Sequence, residues 1–412
     1  MNESASSSPA STGYWVLVRG NADFRMLWYG QTVSLLGDWF NLIASAALVA
    51  SLTGSGIAVG GLFVVRMLAP FLVSPFAGVA ADRFDRKKLL IMTDLFRSLI
   101  ILGFLIVRSP QQVWLLYALT AIQSAMKGFF FPARNAILSD IVSPRELGAA
   151  NAIISTTWSL MLALGAAIGG IILGTWGIYT AFVVDSLTFI VSAFFIYRIR
   201  YRSRTTKSVV RGKTFRSTLS DNIEGLSFLR GHMDVLSITM QKAVLCLFVT
   251  GGYEVIQVAI SRDVFAIGEA GGISLGIMYA VIGLGSGIGP IAARTITGDR
   301  DRAIRIMIFV AYLFMAMGVL IVSKLSSFAL VLVGVFLRSM GSGTIWVFST
   351  QLLLQKVPEH VRGRVFATEF AMLTLAMASG AAISGLALDR TTIGVAGLLQ
   401  LMSALVLVPA SW

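Results

Sequence analysis

The sequence predicts an all-α polytopic membrane protein with twelve transmembrane helices in two pseudo-symmetric six-helix halves. Apolar runs of membrane-crossing length, a lopsided placement of basic residues and an internal repeat with a period of just over half the chain carry that expectation. The chain is 56% hydrophobic and only 13% charged, with a mean hydropathy of +0.81. A water-soluble chain has no interior large enough to hide so much apolar surface, whereas lipid solvates it.

Taken in order, the runs give spans at about 24–51, 57–81, 88–107, 111–135, 147–174 and 177–199, then 235–260, 271–294, 303–323, 327–355, 363–388 and 393–412. Each is long enough to cross a bilayer as a helix. The 33 Lys and Arg residues orient them. Only Arg108, Arg262, Lys324 and Arg390 fall in odd-numbered loops; Arg66, Arg97, Lys127, Lys242 and Arg338 lie within spans; the other 24 sit on the tail and the even-numbered loops with their flanking helix ends. Basic residues concentrate on the cytoplasmic side of membrane proteins, so both termini are expected in the cytoplasm of a cell whose inner or plasma membrane holds the chain. The net charge of +13 therefore reflects topology and lipid contact, and nucleic acid is not an expected partner. Met1–Gly13 is Ser-rich and lacks the charged start and cleavage site of a signal peptide.

The organisation that follows is a cytoplasmic tail over 1–22, a first half over 23–199, a linker over 200–234 and a second half over 235–412. The linker opens with Arg200, Arg202, Arg204, Lys207, Arg211, Lys213 and Arg216, then places Phe215, Leu219, Ile223, Leu226 and Leu229 at helical spacing. That pattern predicts an amphipathic helix on the inner membrane surface, or one packed between the halves. The repeat shows in Pro75 and Pro290, and at the same offset in Gly165-Ala-Ala-Ile-Gly-Gly170 against Gly380-Ala-Ala-Ile-Ser-Gly385. Parallel halves related by an axis along the membrane normal are a recurring transporter plan.

Polar stripes mark the candidate site. Gln31, Ser34, Asp38, Asn41 and Ser45 step by 3, 4, 3 and 4 inside an apolar run, which puts them on one helix face. Thr250, Glu254, Gln257 and Ser261 repeat the last four positions in the second half, one residue off the register of the prolines. The expectation is that the two stripes face each other across a central cavity; hydrogen-bonded packing seams are the other reading. Arg66 lies near the depth of Asp38 and is a possible pairing partner, and Arg338, before Gly341-Ser-Gly343, is expected in the cavity wall. A buried carboxylate is costly unless it has a task, so Asp38 and Glu254 are the expected proton carriers.

The loop after the second span reads Gly78-Val-Ala-Ala-Asp82-Arg83-Phe84-Asp85-Arg86-Lys87-Lys88. It resembles the signature of the major facilitator superfamily between helices two and three, Gly-x-x-x-Asp-Arg-x-Gly-Arg-Lys. Gly78, Asp82, Arg83, Arg86 and Lys87 fall on the pattern, and Asp85 stands in place of the usual glycine. The resemblance implies a conformational latch, with Asp82 docking on the partner half near the start of helix eleven, beside Arg362 and Arg364. Asp94 and Arg97, one turn apart in the third span, are expected to pair with each other or with Arg83 and Arg86. In the fifth span Met161-x-x-x-Gly165-Ala166-x-x-Gly169-Gly170 is similar to the family's antiporter motif, with Gly165, Gly169 and Gly170 on its glycines; close helix approach explains the same residues. Where drug antiporters carry Arg-x-x-Gln-Gly in the fourth span, this chain has Ser124-Ala-Met-Lys127-Gly128, so Lys127 either replaces the arginine or snorkels to the inner surface.

Phe24-Arg-Met-Leu-Trp28, Ser34-Leu-Leu-Gly-Asp38, Leu52-Thr-Gly-Ser55, Asp94-Leu-Phe-Arg97 and Phe131-Pro-Ala-Arg134 look like the DHA3-type branch, which includes macrolide and other drug exporters and a siderophore exporter. The implied activity is proton-coupled export of drug-like, siderophore or other amphipathic small molecules by alternating access, by a monomer in contact with membrane lipid. A lipid flippase or a metabolite importer of the same fold is the alternative reading. An enzyme is not expected: the only histidines, His232 and His360, fall in loops, Cys246 has no base near it in sequence, and neither a metal motif nor a phosphate-binding loop is present. No catalytic residues, no metal and no cofactor are expected, and a channel fits the two-half repeat less well than alternating access does.

Overall fold

The computed structural model describes residues 14–143, 145–201, 226–298 and 300–410. Ten of its helices are long and apolar enough to cross a membrane. Two more helices stand in the remaining places of the predicted order. One is Val113–Ile141, which carries Thr120, Gln123, Ser124 and Lys127 along its middle, and the other is Gly394–Leu405, followed by Leu407–Ala410. No strand occurs among the described residues.

The first span is Ala22–Thr53, the second Gly56–Arg83, the third Arg86–Gly103, the fourth Val113–Ile141, the fifth Leu147–Trp176 and the sixth Ile178–Tyr197. The seventh runs over Met233–Val264. The eighth to eleventh are Gly272–Thr297, Asp301–Ser323, Phe328–Lys356 and Glu359–Arg390, and the twelfth is Gly394–Leu405 with its short continuation. Tyr14–Gly20 forms a helix ahead of the first span and buries Leu17 and Val18. Most of the basic linker, residues 202–225, lies outside the described residues; residues 226–231 are helical.

Starts and stops follow local chemistry. Asn21, Ser55, Asp85 and Ser327 each accept a backbone N–H three residues on, capping the first, second, third and tenth spans. Asp85, the residue that replaces the signature glycine, is thus the N-cap of the third span. Gly54 ends the first span in the left-handed conformation, φ 64°, which favours glycine. The seventh span is not uniform: π-helical turns at Cys246–Thr250 and Ile260–Val264 bracket the regular stretch Gly251–Ala259 that carries Glu254.

In the first half, the first span packs on the fifth and sixth, and the third on the fourth and sixth; in the second half, the tenth packs on the eighth and ninth. The halves meet along two seams, second span on eleventh and fifth on eighth. Small residues set both. A Cβ on Gly385 would stand 2.5 Å from the Gly56 carbonyl, and one on Gly170 would stand 2.6 Å from the Gly272 carbonyl. A Cβ on Gly60 would meet the Ala381 carbonyl at 2.7 Å, and one on Gly276 the Ala166 carbonyl at 2.7 Å. The two seams are copies of each other. Gly56 and Gly60 map onto Gly272 and Gly276 in the register of the polar stripes, while Ala166 and Gly170 map onto Ala381 and Gly385 in the register of the prolines. Backbones this close leave no room for a larger side chain, the usual logic of helix contacts in membranes.

Candidate functional site

Asp38, midway along the first span, is the centre of an ion cluster within the first half. Arg97 of the third span donates from Nη2 to its Oδ1 at 2.5 Å, and Lys127 of the fourth span approaches its Oδ2 at 3.1 Å. Arg97 also lies over the Phe189 ring at 4.0 Å. The Asp38 and Arg97 side chains are almost entirely buried, but Lys127 is 47% exposed. Lys127 therefore does not snorkel away to the surface. It reaches Asp38 from the open side of the cluster.

The structure corrects the expected pairings. Arg97 bonds to Asp38 across two spans rather than to Asp94 one turn away; Asp94 instead accepts a hydrogen bond from Ser192 at 2.6 Å. Arg66 does not ion-pair with Asp38; its Nη1 donates to Asn41 Oδ1 at 3.1 Å. A residue's partner is set by which spans touch, and span contacts are not written in the spacing along one helix.

In the second half, Glu254 Oε2 accepts from Gln257 at 2.9 Å and from the Tyr279 hydroxyl of the eighth span. Tyr279 in turn packs on Trp39 of the first span, with ring centroids 5.7 Å apart. Arg338 lies over the Tyr253 ring at 4.0 Å. The predicted stripes are thus brought close, though not as two bare faces. Gln31, Ser34, Asp38, Asn41, Ser45, Gln257 and Ser261 are all buried, and Arg66, Tyr279 and Arg338 from other spans bond to or lie over residues of the stripes and their neighbours. Among the aromatics of these spans, Tyr253 and Phe348 are core residues, while Trp158 and Trp346 are exposed.

A second buried ion pair was not foreseen. Lys242 of the seventh span donates to Glu369 of the eleventh at 2.8 Å and to Thr350 of the tenth at 2.7 Å, with the Trp346 ring 5.1 Å away. Its sequence signal was present: two lone charges of opposite sign, each in an apolar run. Tyr279, the link between Glu254 and the first span, had no such signal.

The glycines of the fifth span split their work. Gly165 faces Trp39 and Gly169 faces Phe40, both on the first span, while Gly170 makes the seam with the eighth. At the signature loop, Arg86 pairs with Asp140 at 2.5 Å and Lys87 donates to the Ile199 carbonyl at 2.7 Å, so these two tie the third span to the fourth and sixth. Arg83 is exposed. Gly78 lies within the second span, while the Asp82 side chain, and with it any contact with the eleventh span, lies outside what the structure describes.

At the opposite end of the bundle, the Asp389 carboxylate, near the end of the eleventh span, caps the start of the second. It accepts from Ser55 Oγ at 2.5 Å, Gly56 N at 2.7 Å and Ile57 N at 3.0 Å. Arg262 donates to the Ala50 carbonyl at 2.5 Å beside it. We call this the far end, and the end that holds Tyr14 the tail end. The cross-half contacts named above all lie at mid-span or toward the far end.

Comparison with known proteins agrees with this architecture. The chain is 27% identical over 382 residues to the MFS-type transporter YfiS of Bacillus subtilis (strain 168), covering 90% of this chain and 87% of that protein. It is 24% identical over 375 residues to macrolide efflux protein A of Streptococcus pyogenes, covering 89% of each. Among solved structures, the nucleoside transporter NupG superposes with a TM-score of 0.72 at 12% identity, over 94% of this chain and 97% of that one, a likeness of fold alone. The sequence profile of the Major Facilitator Superfamily matches residues 27–381. A twelve-helix bundle with repeated glycine seams and a profile match over most of its length make this chain a multi-pass membrane protein that belongs to the Major Facilitator Superfamily of transporters.

Proposed function

We propose that the protein is a proton-coupled exporter of amphipathic small molecules that works by alternating access, with both termini in the cytoplasm. The carrying observation is the Asp38 cluster: one carboxylate shared by Arg97 at 2.5 Å and Lys127 at 3.1 Å, on three different spans. Ionised Asp38 draws the first, third and fourth spans together. A proton on Asp38 leaves two neighbouring cations without their shared partner, so the cluster loosens. Burial makes each state expensive unless it is matched by a rearrangement, which is how a proton can be linked to movement of the halves. Lys127 opens the cluster to the space where cargo would sit.

The distribution of Lys and Arg supports a cytoplasmic tail end. Closure at the far end then corresponds to an inward-open resting state. A relative named for macrolide efflux supports export rather than import.

Proteoliposomes with an imposed pH gradient, given ethidium or a macrolide as trial cargo, test the reading. Wild-type protein should drive the cargo against its own gradient, and Asp38→Asn should bind it without concentrating it. Undiminished transport by Asp38→Asn would exclude Asp38 as the coupling residue. Indifference of the wild type to the pH gradient would reject proton coupling.

A further inference from the structure

We propose that the polar centre between the halves reads zwitterions, small molecules that carry an ammonium and a carboxylate on one skeleton as short peptides do, through Glu254 on one side and Arg338 with Arg66 on the other. Three of the cations within the spans already have a carboxylate within ion-pair distance: Arg97 and Lys127 share Asp38, and Lys242 has Glu369. Arg66 and Arg338 have none among the described residues. Their depths match. Arg66 is ten residues from the start of Gly56–Arg83, Arg338 ten from the start of Phe328–Lys356, and Glu254 ten from the end of Met233–Val264. All three positions are thus about 15 Å along the helix from the far end. Arg338 lies over the ring of Tyr253, the neighbour of Glu254, and Arg66 bonds to Asn41 on the first span, whose Trp39 packs on the Tyr279 that holds Glu254. Arg66 comes from the first half and Arg338 from the second, so they flank Glu254 from the two bodies that must move.

Glu254 and Arg66 are half-buried and Arg338 is buried, and acids and bases so withdrawn from water ordinarily close on each other. Here they are held apart. Tyr279 and Gln257 hold Glu254 by its Oε2, and Oε1 takes no hydrogen bond among the described residues. Arg338 is pinned over the Tyr253 ring, is only 4% exposed, bonds to Ser339 Oγ at 3.3 Å and keeps a buried Nε with no acceptor. Beside Arg66, the Asn41 amide nitrogen is also buried without an acceptor. Asp38 is already taken up by Arg97 and Lys127, and Asp185 keeps a buried Oδ2 with no donor.

What is left over around Glu254 is its second oxygen and the buried Asp185 Oδ2, neither with a donor, and the Arg338 Nε and Asn41 amide with no acceptor. A lone cation would satisfy the first and strand the second, and a lone anion would do the reverse. A zwitterion satisfies both, its ammonium on Glu254 Oε1 and its carboxylate on Arg338 and Arg66, where planar guanidinium groups bind carboxylates well.

The inference rests on the exporter reading only in calling the bound molecule cargo. Its test uses no proton gradient, so it can fail while gradient-driven transport stands, and the reverse. Purified protein in detergent micelles is titrated with three pools of the same dipeptides of Leu, Phe and Val: with free termini, with amidated C-termini, and with acetylated N-termini. Tryptophan quenching and the shift of the thermal midpoint report binding. The free pool should bind about tenfold or more tighter than either blocked pool, the loss expected when a buried charged hydrogen bond goes unmade. Arg338→Gln should erase the preference over the amidated pool, and Glu254→Gln that over the acetylated pool. The wild-type comparison stands by itself if a variant fails to fold. Equal binding of the amidated pool, equal binding of the acetylated pool, or no binding of the free pool overturns the proposal.

Discussion

Asp38 and Lys242 show how much depends on a single buried charge. Lys242 is held by Glu369 and Thr350 with almost no solvent contact. Removing one partner strands the other, at a cost of about 3–5 kcal/mol, whereas replacing both by apolar residues of similar size is often close to neutral. Glu369→Ala should therefore lower the thermal midpoint in detergent sharply, and adding Lys242→Met should restore most of it. If the double variant is no better than the single, the pair is not the source of the loss. Residue-scale legibility ended at partners. The stripe through Asp38 could be read because helical spacing is local. That Arg97 chooses Asp38 over Asp94, and Arg66 chooses Asn41, depends on which spans pack together, and no spacing along one helix encodes that.

At the scale of elements, the repeat proved more informative than any motif. It was visible as matched prolines, glycines and stripes, and the structure uses it to build the two seams in the same way. The irregular seventh span was not legible: the stretch 245–252 reads as an apolar run broken only by Thr250 and closed by two glycines, and no spacing there marks the π-helical turn. The seams make a paired prediction. Gly170→Val and Gly385→Val each push a side chain into a backbone about 2.5–2.6 Å away, so each should open the far end. Spin labels across that end should report longer distances for both variants, and a change in only one would break the equivalence of the seams. Asp389→Ala removes a helix cap that is also a cross-half tie. A cap of this kind contributes about 1 kcal/mol, so the ratio of far-closed to far-open molecules should fall roughly fivefold. An unchanged distance distribution would show the tie to be incidental.

For the molecule as a whole, membrane insertion and the two-half plan followed from composition, charge placement and repeat, since lipid imposes those constraints along the entire chain. The direction of motion did not follow, because it is a difference between two states. If Asp82 acts as the latch that its loop resembles, Asp82→Ala should lengthen inter-half spin-label distances at the tail end, and unchanged distances would reject that role. The central claim, exchange of cargo for protons through Asp38, is tested most directly by a pH-sensitive dye trapped in proteoliposomes. Adding cargo on one side of wild-type vesicles, with no pre-set pH gradient, should move protons in the opposite direction, and Asp38→Asn should abolish that signal while still binding cargo. Cargo that crosses the wild-type membrane without proton movement, or equal proton movement in Asp38→Asn, would contradict it.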